Sequence, residues 1–218
     1  MQRLSIIFIV FVSVVGFPAW AYSVPAVYEP GLDPQPGFNL VSWDAAGTVT
    51  ANDWENAVQS LYDANVRSLT IVTYRFLNAS TGHLSSTSAY GLAAPPPNAY
   101  IASAMQKAQT LGMTVSLNPF VEIDNSSCIG CIWRGSFNPY GTTLTNFFND
   151  YTNYIQEMAN LAEVNGADRL YVGSELTSLS KRSDTVDEWT GVISAARASF
   201  SGRLSYACLL YTSPSPRD

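Results

Sequence analysis

Apolar residues follow two alternating patterns along residues 38–207. Short, nearly continuous apolar runs are typical of buried parallel strands, whereas apolar residues spaced three or four positions apart are typical of amphipathic helices. The first pattern predicts five strands, at residues 38–43, 67–76, 113–121, 169–173 and 203–207.

The second pattern lies between these runs and predicts four helices. The first helix follows a capping residue, Thr50, and its apolar residues have helical spacing up to residue 62. Asn98 is the predicted cap of the second helix, which ends at Gly112. The third and fourth helices are predicted over residues 143–165 and 185–200.

This order of strands and helices predicts a parallel sheet with helical crossovers. Two arrangements satisfy the order, a doubly wound sheet and a (β/α)₈ barrel. A dinucleotide-binding sheet would show G-x-G-x-x-G after its first strand, but residues 44–48 read D-A-A-G-T and predict no cofactor. A barrel needs roughly 250 residues. We therefore predict an α/β fold, a partial (β/α)₈ TIM barrel with strands one to four and the start of strand five.

The two ends of the chain differ from this pattern. Residues 1–21 combine Arg3, an apolar run and the sequence Ala-Trp-Ala, which predicts a secretory signal cleaved before Tyr22. The alternative, a membrane anchor, is disfavoured because the apolar run is short for a bilayer span. Residues 208–218 (C-L-L-Y-T-S-P-S-P-R-D) resemble a translated sequencing adaptor. We therefore expect the barrel segment to be residues 22–207 and the natural protein to continue beyond Ala207.

Charge and cysteine content narrow the possible partners. The net charge of −6 at pH 7 disfavours nucleic acid, whose phosphates require a basic face. Outside the last eleven residues the cysteines are Cys128 and Cys131, which in a secreted protein favour a small-loop disulfide. Free thiols and half of a zinc site are the alternatives. No second C-x-x-C pair is present and the single histidine is His83, so we expect no metal.

Several polar and aromatic residues lie where the predicted strands end, and in a barrel these carboxyl ends form one rim. Indole rings stack on sugars, amide and guanidinium groups bind hydroxyls, and glycoside hydrolysis needs two carboxyl groups. Each residue also has a structural interpretation, such as core packing, an ion pair or a solvated loop charge. The candidates are Trp43, Arg75, Asn118, Glu122 and Glu175.

Four segments in this order resemble glycoside hydrolase family 113, a group of clan A barrels known for endo-β-1,4-mannanase activity. They are residues 116–121 (S-L-N-P-F-V), 133–135 (W-R-G), 172–176 (V-G-S-E-L) and 201–207 (S-G-R-L-S-Y-A). The W-R-G and G-S-E-L elements are the most specific of these.

The resemblance implies a retaining double-displacement mechanism with Glu175 as the general acid/base. It also adds Trp133 and Arg134 to the substrate-binding candidates, and it implies a nucleophilic glutamate near strand seven, beyond Ala207. One departure is Ser174, where clan A enzymes commonly have asparagine.

The predicted function is a secreted retaining glycoside hydrolase acting on β-linked polysaccharide, and β-1,4-mannan by resemblance. Its partner would be a poly- or oligosaccharide, with no nucleic acid, no membrane after signal cleavage and no cofactor, and we expect a monomer when complete. We expect the 218-residue chain alone to be inactive. Two alternatives are a non-catalytic carbohydrate-binding barrel, which would lack the strand-seven carboxylate, and a secreted barrel enzyme of another class.

Overall fold

The computed structural model describes residues 37–43, 48–91, 93–124 and 132–207. The predicted signal peptide, the proposed Cys128–Cys131 bridge and the 208–218 segment lie outside the described residues.

The strands form one sheet in which neighbours along the path are parallel and follow chain order. Doubly wound sheets reverse their strand order at a switch point, whereas a barrel adds each strand beside the previous one. The observed order β1-β2-β4-β5-β6 therefore favours the barrel, and β3 is a short antiparallel addition to the end of β2. The strands are β1 (Gly37–Leu40), β2 (Ser68–Leu77), β3 (Leu84–Ser85), β4 (Thr114–Ile123), β5 (Arg169–Ser174) and β6 (Arg203–Ala207).

Four helices lie where the sequence predicts them, with one difference in capping, and a further short helix at Thr177–Ser180 was not predicted. Thr50 caps the first helix, as predicted, and it also forms a reciprocal capping box with Asp53. Asn98 is not a cap: Pro97 precedes the second helix, and the Asn98 amide instead donates to Glu157 Oε1 at 2.7 Å. The helices are α1 (Ala51–Asp63), α2 (Asn98–Thr110), α3 (Gly141–Val164), α4 (Thr177–Ser180) and α5 (Val186–Ser199), and short 3-10 turns cover Arg134–Ser136 and Ser183–Thr185.

Alternation along β2 and β4 separates two apolar layers, because successive strand residues point to opposite faces. One face packs beneath the helices and includes Ile71, Leu117 and Val121. The other face carries Tyr74, Phe76 and Phe120 in a separate cluster. In a barrel this second face is the interior, so its residues at the carboxyl ends of the strands lie toward the active-site rim.

Pro119 lies inside β4, a strand with neighbours on both sides, where proline is unusual because it lacks the N–H group needed for pairing. The backbone carbonyl of Val115 accepts a hydrogen bond from the Asp168 amide. The backbone N–H and C=O groups of odd-numbered residues in β4 therefore point toward β5. Pairing between β4 and β5 occurs at Ser116 and Leu117, just before Pro119. The proline therefore coincides with the point where these two strands separate.

The packing of α3 can be tested with two aliphatic truncations. Ile155 is fully buried, so Ile155→Ala should lower the free energy of unfolding by about 2–5 kcal/mol. Val164, on the same helix, is 83% exposed, and Val164→Ala should change stability by no more than about 0.5 kcal/mol. Urea denaturation measures both values, and equal losses would contradict the described orientation of α3.

Candidate active site

Glu175 follows β5 directly and has an unusual backbone conformation. Its φ is +56°, in the left-handed region that few residues other than glycine adopt. Its amide donates to the carbonyl of Ala207 at 2.8 Å, which ties this turn to β6. Residues held in this region often lie at functional sites, because the surrounding structure must enforce a conformation that costs free energy.

The guanidinium of Arg134 connects two carboxylates. Its Nη1 donates to Glu175 Oε2 at 2.7 Å, and its Nη2 pairs with Glu122 Oε1. Its Nε donates to the carbonyl of Val121 at 2.7 Å. Val121 is odd-numbered, so its carbonyl points to the side from which β5 has separated. Arg134 thus replaces the missing strand partner and links β4 to the end of β5.

Burial differs across this ion-pair group. The side chain of Glu122 is 6% exposed, that of Arg134 is 14% exposed and that of Glu175 is 28% exposed. Burial lowers the pKa of Arg134 from its ordinary value, and the charge of Glu175 and its hydrogen bond oppose this shift. Glu175 is thus the carboxylate of this group that solvent, or a ligand, reaches most readily.

The turn Arg134–Ser136 sets the position of a neighbouring indole. Trp133 Nε1 donates to Glu175 Oε2 at 3.2 Å, the same oxygen that Arg134 contacts. The Trp133 ring packs so closely on Gly135 that a Cβ atom there would collide with it. Ser178 Oγ, from α4, donates to the Gly135 carbonyl at 2.6 Å and holds the turn in place. Sequence reasoning missed Gly135 and Ser178 as supporting residues, although the W-R-G element pointed to the first.

An aromatic surface continues from the carboxylates. Arg134 lies over the Phe120 ring, with its Cζ 4.4 Å from the centroid. Trp43 is partly exposed, stacks on Tyr74 at 4.6 Å between centroids and contacts Phe120 at 5.8 Å. The predicted residues Trp43, Trp133, Arg134 and the two glutamates therefore form one contiguous group. Phe120 and Tyr74, missed from the sequence, connect its parts.

Asn118 lies on the same face of β4 as Phe120 and Glu122, two and four residues before them. Its Oδ1 atom is buried and has no hydrogen-bond partner within the described part of the chain. A buried unpaired acceptor is costly. A partner from a ligand or from sequence outside the described residues would remove this cost.

Arg75 is the exception among the predicted site residues. It lies one position along β2 from Tyr74, so its side chain points to the opposite face of the sheet. There it pairs with Glu157 at 3.3 Å and lies over the Tyr154 ring, both on α3. Arg75 therefore forms the structural ion pair that was the alternative interpretation of this residue. Its predicted contact with a sugar is not supported.

The residues that the structure describes contain neither a metal-binding cluster nor a membrane-spanning helix. Within those ranges, no group of three or more His, Cys, Asp or Glu residues is arranged to hold a metal ion. No helix among them combines the length and apolar character needed to cross a bilayer.

The buried ion pair predicts a stability test. Arg134→Met should lower the free energy of unfolding by about 3–5 kcal/mol, because it leaves the buried Glu122 carboxylate without its cation. Adding Glu122→Gln should recover part of this loss, because the stranded charge is removed. The exposed Arg203 is the control, and Arg203→Met should change stability by no more than about 0.5 kcal/mol. Additive losses in the double variant, measured by urea denaturation, would contradict the pairing.

Solved structures with this arrangement of strands and helices include two β-mannanases. A complex of a family 113 β-1,4-mannanase is 21% identical, with a TM-score of 0.64 over 81% of this chain and 56% of that one. The β-mannanase AaManA from Alicyclobacillus acidocaldarius, in complex with ManMIm, is 18% identical, with a TM-score of 0.63 over 80% of this chain and 54% of that one. The exo-β-1,4-mannosidase Op5Man5 from Opitutaceae bacterium strain TAV5 is 10% identical, with a TM-score of 0.52 over 80% of this chain and 32% of that one.

At these identities the likeness shows the fold alone. The chain spans about half the length of the two mannanases, so its α/β fold is a partial TIM barrel, as predicted. Comparison with curated proteins gives no match. Residues 41–215, which are most of this chain, match the sequence pattern of glycoside hydrolase family 113. The chain therefore belongs to glycoside hydrolase family 113.

Proposed function

We propose that this chain is the N-terminal part of a secreted retaining β-1,4-mannanase in which Glu175 is the general acid/base. The observation that carries this proposal is the position of the Glu175 carboxyl. It lies directly after a barrel strand, is partly exposed, and is fixed by Trp133 and Arg134 beside an aromatic surface. The family membership and the two mannanases of the same fold support mannan as the substrate.

Glu175 would act twice in this mechanism. As an acid it protonates the glycosidic oxygen of the leaving group while a second carboxylate attacks the anomeric carbon. As a base it then takes a proton from the water that hydrolyses the glycosyl–enzyme intermediate. The two carboxyl groups must be about 5–5.5 Å apart.

The second carboxylate is proposed to lie in sequence beyond residue 207. Glu122, the other glutamate of the group, is too buried to reach a sugar ring, and one of its oxygens is engaged by Arg134. The chain covers about half of each mannanase with which it was compared, which agrees with a missing second half.

The aromatic residues would bind the sugar chain. Trp43 and Trp133 are both exposed, and an indole ring offers an apolar face to the C–H face of a pyranose. Asn118, which is partly exposed, would supply its side-chain amide to a sugar hydroxyl. These contacts would lie beside Glu175 and so place a glycosidic bond near its carboxyl.

Secretion and the ends of the chain belong to the same proposal. Residues 1–21 would be removed as a signal peptide. Residues 208–218 would be of adaptor origin, although the family match extends to residue 215. Mass spectrometry of the secreted product should show Tyr22 as its first residue, and retention of residues 1–21 would contradict the signal. Resequencing the locus should replace residues 208–218 by natural sequence.

The catalytic role can be tested in the full-length protein. Glu175→Gln keeps the shape of the side chain but removes the proton donor, so hydrolysis of polymeric β-1,4-mannan should fall about 10²–10⁴-fold. The loss should be smaller on an aryl mannoside whose leaving group needs little protonation. Glu157, 45% exposed on α3, is the matched control. Glu157→Gln should leave both rates unchanged.

Two outcomes would contradict the proposal. Equal rates for wild type and Glu175→Gln on polymeric mannan would remove Glu175 from the acid/base role. Mannan binding without hydrolysis by the full-length wild type would favour a carbohydrate-binding barrel instead.

A further inference from the structure

An exposed tyrosine ring lies on the loop that also carries Trp133 and Arg134. Tyr140 is 67% exposed and comes directly before α3. Segments that lead from a barrel strand to the next helix lie at the carboxyl ends of the strands, so Tyr140 lies at the same rim as Glu175. A ring this exposed buries little apolar area, and the stability of the fold therefore gives little reason for its presence.

Arg182 holds the Tyr140 ring from one side. Its Cζ lies 4.2 Å from the ring centroid, and its side chain is only 11% exposed. Its Nη1 donates to the Pro139 carbonyl at 2.6 Å and to Asn138 Oδ1 at 3.1 Å. A guanidinium covers only one face of a ring, so the exposure of Tyr140 belongs mainly to the opposite face and the edges.

Asp184 fixes the orientation of the guanidinium. Arg182 Nε donates to Oδ1 at 2.9 Å, and Nη2 donates to Oδ2 at 2.7 Å. Two parallel hydrogen bonds of this kind set the plane of the guanidinium as well as its position. The support behind the Tyr140 ring is therefore ordered in the absence of a ligand, which lowers the entropic cost of binding to the ring.

We propose that Tyr140, with Asn138 and Asp184, forms a remote sugar-binding subsite that binds a mannose unit of a long chain while another part of the chain lies at Glu175. This inference rests on the proposed function. It assigns to these residues the binding of long substrates and no part in breaking the glycosidic bond.

The groups around the ring match the chemistry of a pyranose. The open face of Tyr140 can stack on the C–H face of a sugar. Asn138 is exposed, and its Nδ2 group can donate to a hydroxyl while Oδ1 accepts from Arg182. Asp184 is 61% exposed, and its hydrogen bonds from Arg182 lower its pKa, so it remains an ionised acceptor for hydroxyl groups. The Arg182–Asp184 pair has no net charge, which suits a neutral polysaccharide.

The path of the loop separates this group from the candidate active site. After the turn Arg134–Ser136, the chain passes through Phe137, which is buried and packs on Phe147 of α3 at 5.2 Å between ring centroids. It returns to the surface at Tyr140, at the start of α3. Tyr140 thus lies on the outer part of the rim, above the helix layer. A polysaccharide can extend from Glu175 to this position, whereas a short oligosaccharide held at Glu175 cannot.

The subsite can be tested by the dependence of affinity on chain length. In the full-length protein, Glu175→Gln provides a background with little hydrolysis, and isothermal titration calorimetry compares mannohexaose with mannobiose. Adding Tyr140→Leu should weaken mannohexaose binding about three- to tenfold, the loss expected for one stacked ring, and leave mannobiose binding unchanged. Tyr140→Phe keeps the ring and should retain most of the affinity. Ile193→Ala, a truncation at a 44% exposed position on α5, is the control and should change neither value.

A kinetic comparison gives a second readout in the otherwise unchanged protein. Tyr140→Leu should raise KM for polymeric mannan by a similar factor, and kcat should stay unchanged because the reacting groups are untouched. Hydrolysis of an aryl mannobioside should also be unchanged. A role in folding of the loop would instead lower activity on both substrates.

The outcomes separate this inference from the proposed function. Unchanged mannohexaose affinity in Tyr140→Leu, or equal losses for both ligands, would overturn the subsite. If that variant does not fold, Asp184→Ala alters an exposed position and should show the same dependence on length; its absence would also overturn the subsite. A full-length wild type that hydrolyses no mannoside rejects the proposed function, and the binding comparison still decides the subsite, because affinity requires no catalysis. Failure of that protein to bind mannohexaose would reject the subsite as well.

Discussion

A buried guanidinium must find partners for its charge and its donors, and this requirement organises the carboxyl end of the sheet. Arg134 meets it with a backbone carbonyl, two carboxylates and an aromatic face. These partners come from β4 and from the turn after β5. The loop that carries Arg134 is thereby fixed to two strands at once. The positions of Trp133 and of the Glu175 carboxyl follow from that attachment.

The space for Arg134 exists because two parallel strands separate. Pro119 has no N–H to offer β5, and pairing between the strands occurs before it, at Ser116 and Leu117. The next carbonyl on that side, at Val121, binds the Arg134 side chain instead of a strand. A residue that weakens the sheet therefore creates the place where a side chain from a loop can enter. Sheet geometry and site geometry here have the same origin.

The sequence predicted the strands because each is a short apolar run, and it placed Glu175 correctly at the end of one of them. It could not predict the face on which Arg75 lies. β2 is buried or partly buried on both sides, so the alternation that would distinguish its faces is absent from its sequence. Asn98 was wrongly taken as a cap because its partner, Glu157, is 59 residues away. Arg134 was noticed only through a family resemblance. Its partners become neighbours only after the strands have assembled.

The left-handed backbone of Glu175 has a consequence for how such a protein would respond to selection for heat resistance. Glycine adopts φ near +56° without steric cost. Glycine at position 175 would also leave Arg134 paired with Glu122 alone, and that pair has no net charge. The backbone strain at this position thus favours glycine, whereas the contacts of the carboxylate with Arg134 and Trp133 favour glutamate. A screen that scored only thermal survival would report which of these two effects is larger, whereas one that also scored turnover would test the proposed need for glutamate.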